Sequence, residues 1–333
     1  MKIKIYFIEK TISFDSSDIN SSSIAGSEKT LINITNELAK DENLIIKVFN
    51  NIDDEITINK VQWININRIN VSDVPDYLIA MSDANLLSLF NCKKKYLWSH
   101  SVEPIEKFIR KKQIIPFIKN KPVVLLEGEY HYNTRSFFTS IFGKKIISIA
   151  PDYDFIETKI NKDFIPPKKA IFTTRSDRNL LFLLDCWKKI STLCANSSLY
   201  VNPPFSLTND HKNIGINLRV KGDKSELINE LLNSRVMLNP GHKGEVFCLA
   251  AEEAREMCLP IVTMGYGSLK ERVDHGVTGY IAKNKDEFVE YSVKILSDDN
   301  LYLKLKNNLI SRKGSRTYRS VAKDLLKILY RSL

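Results

Sequence analysis

The feature that most constrains this chain is a repeated change of period. Short apolar, β-branched runs alternate with longer amphipathic stretches along nearly all of its 333 residues. Strand-like runs are KIKIYFI (2–8), NLIIKVF (43–49), VQWININ (61–67), YLIAMS (77–82), KYLWSH (95–100), PVVLLE (122–127) and KIISIA (145–150). After a break the pattern resumes with KAIFTT (169–174), SLYVN (198–202), GINLRV (215–220), RVMLNP (235–240) and PIVTM (260–264). Stretches 27–40, 178–192, 224–233 and 247–257 read as helices between them. Such alternation predicts parallel sheets covered by helices on both faces. The break, PDYDFIETKINKDFIPPKK (151–169), is polar and carries three prolines, and a Pro-Pro pair cannot sit inside a central strand or helix. The expected architecture is α/β, with two doubly wound Rossmann-like domains facing a cleft. The first spans 1–150, a linker 151–168, and the second 169–316, with a last helix over about 317–333 packing back on the first. Ligands of such sheets bind at the carboxyl ends of the strands.

Composition narrows the classes. An apolar fraction of 43% and a charged fraction of 26% belong to a globular chain that buries a sizeable core. The N-terminal apolar run is too short for a signal peptide, and no stretch is long enough to span a bilayer. Five cysteines without C-x-x-C spacing read as reduced thiols of a cytoplasmic protein rather than a zinc site. The net charge of +10 is uneven: Lys93 to Lys121 holds nine Lys/Arg against two Glu, and Leu301 to the end holds nine against Asp324 alone. Such patches attract anions: phosphorylated ligands, nucleic acid or an acidic membrane surface.

In GEVFCLAAEEAREM, Glu245 and Glu253 flank the start of a helix that follows the strand SRVMLNP and the turn GHKGE. The first amides of that helix lack internal partners and carry the positive end of its dipole, which makes an anion site. A glycosidase pair is excluded by spacing. Eight helical positions rise roughly 12 Å, against about 5–5.5 Å for retaining and 6.5–9.5 Å for inverting hydrolases. The pair suits the two ends of one elongated, hydroxyl-rich ligand.

The stretch resembles the C-terminal signature of retaining glycosyltransferases of the GT-B fold, family 4 and its relatives: E-G-F-G-L-P-x-x-E, a strand, G-G-x-x-E and D-G-x-T-G. Here it stands as EVFCLAAEE, LPIVTM, GYGSLKE and DHGVTG. The resemblance implies that Glu245 meets the donor sugar's hydroxyls and Glu253 the ribose diol. The amides of Val246, Phe247, Cys248 and Leu249 would approach sugar and phosphates. Val246 and Cys248 replace the motif's glycines and Ala250 its proline, a departure that narrows the donor pocket. SSIAGSEKTLINITNELAK (22–40) is similar to the family's first loop and helix, with Gly26 the remaining glycine of the usual pair. AIFTTRSDRNLLFLLDCWKKI (170–190) looks like the diphosphate-binding strand, loop and helix, with Arg175 and Arg178 in the basic positions. His100 stands where the family often carries a histidine facing the donor sugar. His131 and His242 are weaker candidates, and Glu127 and Glu129 are candidates for the acceptor side.

Two features are weighed apart from the resemblance. Asp152-Tyr153-Asp154 has the Asp-x-Asp form that holds Mn²⁺ or Mg²⁺ in another glycosyltransferase fold, but it opens the proline-rich break and reads as a turn. EPIEKFIRKKQIIPFI (103–118) reads as one basic helix. In it Ile105, Phe108 and Ile109 lie near one another among Lys107, Arg110, Lys111 and Lys112, the pattern of a helix that docks on anionic lipid or one whose stripe is core.

The resulting expectation is a retaining transferase needing no metal or other cofactor. Its partners would be a nucleotide-diphosphate sugar, a glycan or glycolipid acceptor and the inner face of a membrane. An inverting transferase, a nucleotide-sugar epimerase and a non-catalytic nucleotide or nucleic-acid binder are the alternatives. The absence of a groove-reading motif weighs against nucleic acid.

Overall fold

A computed structural model of the chain describes residues 2–21, 24–220 and 222–331. It divides into two compact units, Met1–Ala150 with Arg316–Leu333, and Pro151–Ser315.

The first unit runs β1 (Ile3–Ile8), α1 (Gly26–Leu38), β2 (Leu44–Asn50), β3 (Ile56–Ile58), β4 (Val61–Asn65), β5 (Tyr77–Met81) and β6 (Lys94–Trp98). It continues with α2 (Ile105–Arg110), α3 (Ile114–Asn120), β7 (Val123–Leu126), α4 (Glu129–Thr134) and β8 (Lys144–Ile146). Its sheet has the order β3-β4-β2-β1-β5-β6-β7-β8, parallel throughout except where the edge strand β3 runs antiparallel to β4. All five residues of β5 are buried, as a strand covered on both faces requires.

The second unit runs α5 (Tyr153–Glu157), β9 (Lys169–Phe172), α6 (Leu180–Leu193), β10 (Ser198–Val201), α7 (Asn209–Asn213), β11 (Ile216–Leu218) and α8 (Lys224–Leu232). Then come β12 (Val236–Leu238), α9 (Leu249–Glu256), β13 (Ile261–Thr263), β14 (Gly279–Ile281), α10 (Lys285–Ser297) and α11 (Asp299–Ile310). Every pairing in its sheet is parallel, in the order β11-β10-β9-β12-β13-β14. Counted from β9 this is the 3-2-1-4-5-6 order of a dinucleotide-binding sheet, so the strand order reverses between β9 and β12. Successive side chains leave a strand on opposite faces. Phe172 accordingly joins Trp187, Phe288 and Leu305 on one face, while Ile171 joins Met237, Ala251 and Phe155 on the other. Each such fully buried large side chain stabilises the fold by about 1.5–3 kcal/mol.

The chain then returns to the first unit as α12 (Tyr318–Tyr330). Tyr318, Val321, Leu325 and Leu329 are buried, and the Tyr318 and Thr30 hydroxyls lie 3.2 Å apart against α1.

Three expectations need correction. The stretch 151–168 lies within the second unit rather than outside both. Phe155 of α5 is buried in the core beside α9, and the Lys224 ammonium stands 2.9 Å from Asp152 and 2.7 Å from Asp154. The basic helix over 103–118 is two helices, α2 and α3. Lys112 takes a left-handed φ of 54°, and the buried Gln113 carboxamide accepts the Ala84 amide at 3.2 Å. A helix cannot run through a left-handed residue. Finally, α9 begins at Leu249, so Glu245 precedes the helix and the eight-position helical rise does not measure its distance to Glu253.

The five cysteines are all free and buried, and no helix among the described residues is long and apolar enough to cross a membrane.

Candidate active site

In the second unit the candidate residues collect at the point where the strand order reverses. The loop after β9 carries Arg175 to Asn179, and the loop after β12 carries Asn239 to Cys248. Two side-chain contacts sew these loops together. Asn179, in a left-handed conformation, donates to the Gly241 carbonyl, and Arg178 Nη1 donates to His242 Nδ1 at 2.7 Å. Asn239 is buried and shapes the second loop. Its Oδ1 accepts the Gly241 amide at 3.0 Å, while its Nδ2 reaches Cys248 Sγ at 3.6 Å. The Ser268 amide donates to the Glu245 carbonyl at 2.9 Å. The neighbouring Gly267 has a φ of 67°, and a Cβ there would overlap the carbonyl oxygens of His242 and Glu245. That position is open to glycine alone.

Glu245 is therefore fixed by its backbone while its carboxyl faces inward. Burial pushes the carboxyl above its ordinary range, against the pull of Arg178 and the Cys248 thiol. Its Oε2 is buried without a hydrogen-bond partner, and so are Thr173 Oγ1, Thr174 Oγ1 and Ser268 Oγ. All four belong to loops at the carboxyl ends of β9, β12 and β13. Buried polar atoms are normally satisfied, so these four make the strand-end loops the candidate site of the second unit.

Val246, Phe247 and Cys248 are buried, and Cys248 stands at the N-cap of α9 with a φ of 63° and no side-chain cap. The cysteine thus occupies a conformation that favours glycine, the residue of the resembled motif at this place. The first turn of α9, opened by Leu249, is held in place by Arg272. The Arg272 guanidinium lies 4.0 Å from the Phe247 ring centre and donates to its carbonyl at 2.9 Å. It also pairs with the buried Glu252 at 3.0 Å. Glu253 sits half-buried in the middle of α9. The two loop arginines differ: Arg178 is mostly buried, whereas Arg175 is 76% exposed and pairs with Asp177 at 2.8 Å.

The first unit holds a separate cluster. His100, just past β6, stacks on Trp98 with ring centres 5.5 Å apart and places Nδ1 2.6 Å from the buried carboxylate of Glu127. His100 Nε2 and Trp98 Nε1 are buried without partners. His131 on α4 accepts the Glu127 amide on Nδ1 at 3.2 Å and donates from Nε2 to the Ser101 carbonyl at 3.1 Å. It is a neutral lock between two strand ends, and burial pushes its titration down to about 4. Glu129 opens α4 and is exposed. Gly26 opens α1 behind Ala25, which supplies no side-chain cap; Ser22 and Ser23 of the same stretch lie outside the described residues.

Residue types alone did not single out Thr173, Thr174 and Ser268. The available signal was the polar ending of otherwise apolar strand runs, as in KAIFTT.

The fold defines the class, a two-domain α/β protein of the GT-B type, with the candidate residues of the second unit at its strand-order reversal. Residues 204–312 match the model of the family described as "Glycosyl transferases group 1", so the second unit carries a group 1 glycosyltransferase domain. No curated protein matches the chain by sequence. Among solved structures it is similar to a sucrose-phosphate synthase from Thermosynechococcus elongatus, at 14% identity and a TM-score of 0.70 over 99% of both chains. It is also similar to the Anabaena protein HepE in complex with UDP-glucose, at 14% identity and a TM-score of 0.69 over 99% of this chain and 100% of that one. WaaG, a glycosyltransferase involved in lipopolysaccharide biosynthesis, aligns at 12% identity and a TM-score of 0.65 over 98% and 99% of the two chains.

Proposed function

We propose that this protein is a retaining, metal-independent glycosyltransferase. It moves a sugar from a nucleotide-diphosphate donor to an acceptor hydroxyl of a glycan or glycolipid, in lipopolysaccharide- or capsule-type synthesis on the cytoplasmic side of a membrane. The observation that supports it most is the group at the β9/β12 reversal: Arg178 beside Glu245, with unpartnered buried oxygens of Thr173, Thr174, Glu245 and Ser268. Arg178, Arg175 and the first amides of α9 would stabilise the charge that gathers on the leaving diphosphate, work done elsewhere by a metal. Glu245 and His100 orient the sugar, Glu253 holds the ribose, and Gly26 lets the backbone approach the ligand. The departing phosphate takes the acceptor proton. Anionic lipid is the proposed partner of the exposed face of α2 and α3.

The test is turnover. A panel of UDP-, GDP-, ADP-, CMP- and dTDP-sugars is screened for thermal stabilisation, and the stabilising donor is assayed with and without EDTA. We expect one donor class to stabilise and turnover to survive chelation. Loss on chelation with rescue by Mn²⁺ would overturn the metal-independent reading.

A second reading is favoured by His100. A histidine with Nδ1 on a buried carboxylate and a buried Nε2 without a partner is also the arrangement of a general base. In an inverting transferase Nε2 would take the proton of the attacking acceptor hydroxyl. NMR of the anomeric configuration, donor against product, decides between the two.

A further inference from the structure

The contact between Arg178 and His242 is used by neither reading. His242 Nδ1 receives two donors at once, Arg178 Nη1 at 2.7 Å and the Gly244 amide at 2.9 Å. A ring nitrogen that accepts two hydrogen bonds carries no proton of its own, so the ring presents its lone pair to the guanidinium. Gly244 completes the arrangement, because a Cβ there would lie 2.8 Å from Arg178 Nη1 and 3.1 Å from His242 Nδ1. An arginine side chain has several flexible torsions, and fixing them costs conformational entropy unless a partner has already selected one arrangement. Arg178, which makes this contact, is mostly buried, whereas Arg175, which does not, is exposed.

We infer that His242 is a positioning residue. Through its unprotonated Nδ1 it holds the Arg178 guanidinium in place for the donor diphosphate, and glycine at 244 is what leaves room for that contact. This rests on the proposed nucleotide-diphosphate site.

The experiment is calorimetric binding of UDP, GDP, ADP and dTDP to the whole protein, followed by a mutant cycle with whichever binds. His242→Ala removes the anchor and should weaken binding about tenfold or more, the effect of losing a well-placed charged hydrogen bond. His242→Asn puts an acceptor oxygen close to the place of Nδ1 and should restore binding to within about threefold of the parent. In an Arg178→Ala background, His242→Ala should cost nothing further, because residues acting through one contact are not additive. Gly244→Ala should press on both the tip of Arg178 and the His242 ring, separating the pair and reproducing the loss.

Three results would overturn the inference. One is parent-like binding by His242→Ala. Another is failure of Asn to restore what Ala loses. The third is an undiminished effect of His242→Ala when Arg178 is already absent. If the parent protein binds none of the four nucleotides, the proposed donor site itself falls, a result distinct from all of these.

Discussion

His100 Nδ1 lies 2.6 Å from the buried Glu127 carboxylate, and the Glu127 amide is in turn held by His131. The imidazole therefore cannot turn without breaking a charge-assisted hydrogen bond in a dry setting, where such bonds are strongest. Glu127→Gln keeps the shape and removes the charge. If His100 only orients the sugar, kcat should fall about tenfold with nucleotide affinity unchanged. If His100 is a general base, the fall should be on the order of 10²–10⁴-fold and the acid limb of the pH–rate profile should move. Steady-state kinetics across pH separates the two.

Glu245→Gln and Glu253→Gln should fail differently. The first replaces a charged acceptor by a neutral amide against the sugar, so turnover should drop roughly 10–150-fold while free nucleotide diphosphate binds as before. The second should weaken the free nucleotide first, through the lost ribose contact. Equal loss of nucleotide affinity in both variants would mean that α9 had merely lost its packing.

Glu245 also predicts a stability effect of known sign. Burial raises its titration above the ordinary 4.5. The contribution to folding is complete below that value and is lost as pH rises through the raised one. Glu245→Gln removes this loss. The variant should melt roughly 2–4 °C above the parent at pH 7 for each 1 kcal/mol recovered, and the difference should close near pH 4. A variant destabilised at pH 7 would show that the carboxylate is needed by the fold rather than by a ligand.

Much of this architecture was legible because the strands are continuous apolar runs, and all twelve predicted ones fall on observed strands. The two that escaped, β3 and β14, stand in short isolated runs, ITI and GYI, whereas the equally short β8, β11, β12 and β13 lie in longer apolar runs. The break in 103–118 was hidden for another reason. Ile105, Phe108 and Ile109 keep helical spacing, but Ile114 follows Ile109 by five positions, a slip masked by the run of charges between them; the left-handed Lys112 and the tertiary hydrogen bond to Gln113 place the turn there. In the site, the motif around Glu245 was readable as residue types, whereas the role of His242 was not. A lone histidine in a glycine-flanked turn has no partner until the fold brings Arg178, 64 positions away, to its ring.

His131 sets an acid limit on the first unit. Its ring is neutral when folded and titrates at about 4, against 6.5 in an unfolded chain. A base whose folded titration is depressed binds its proton more readily once unfolded, so stability falls as pH drops from 6.5 towards 4. The loss should total about 3 kcal/mol. Denaturant unfolding should show this slope in the parent and not in His131→Gln, whose amide can both accept and donate. The same slope in both would assign it to other groups.

The exposed face of α2 and α3 predicts salt-sensitive membrane binding. Ile109 and Ile115 are 61% and 77% exposed, with Arg110, Lys111 and Lys112 also at the surface. Lys107, first counted with this patch, is engaged instead by Glu103 at 2.9 Å and Ser101 at 2.7 Å. Pelleting with anionic liposomes should be strong at low salt and weak at high salt. It should be abolished by Arg110, Lys111 and Lys112→Glu, and reduced by Ile109 and Ile115→Ser, with donor binding intact. No pelleting at low salt would make this face ordinary solvated surface.

The return of α12 to the first unit orders events during synthesis. The face of α1 that carries Thr30 is covered by side chains from Tyr318 to Leu329, residues translated after the whole of the second unit. Domains usually complete in the order they leave the ribosome, but here the sequence is inverted. The second unit has every residue it needs once Ser315 has emerged, while the first waits with an apolar helix face uncovered until Leu329 has emerged too. A nascent chain stalled so that Ser315 but not Tyr318 has emerged should therefore carry a protease-resistant second unit and a first unit that is still open to cleavage.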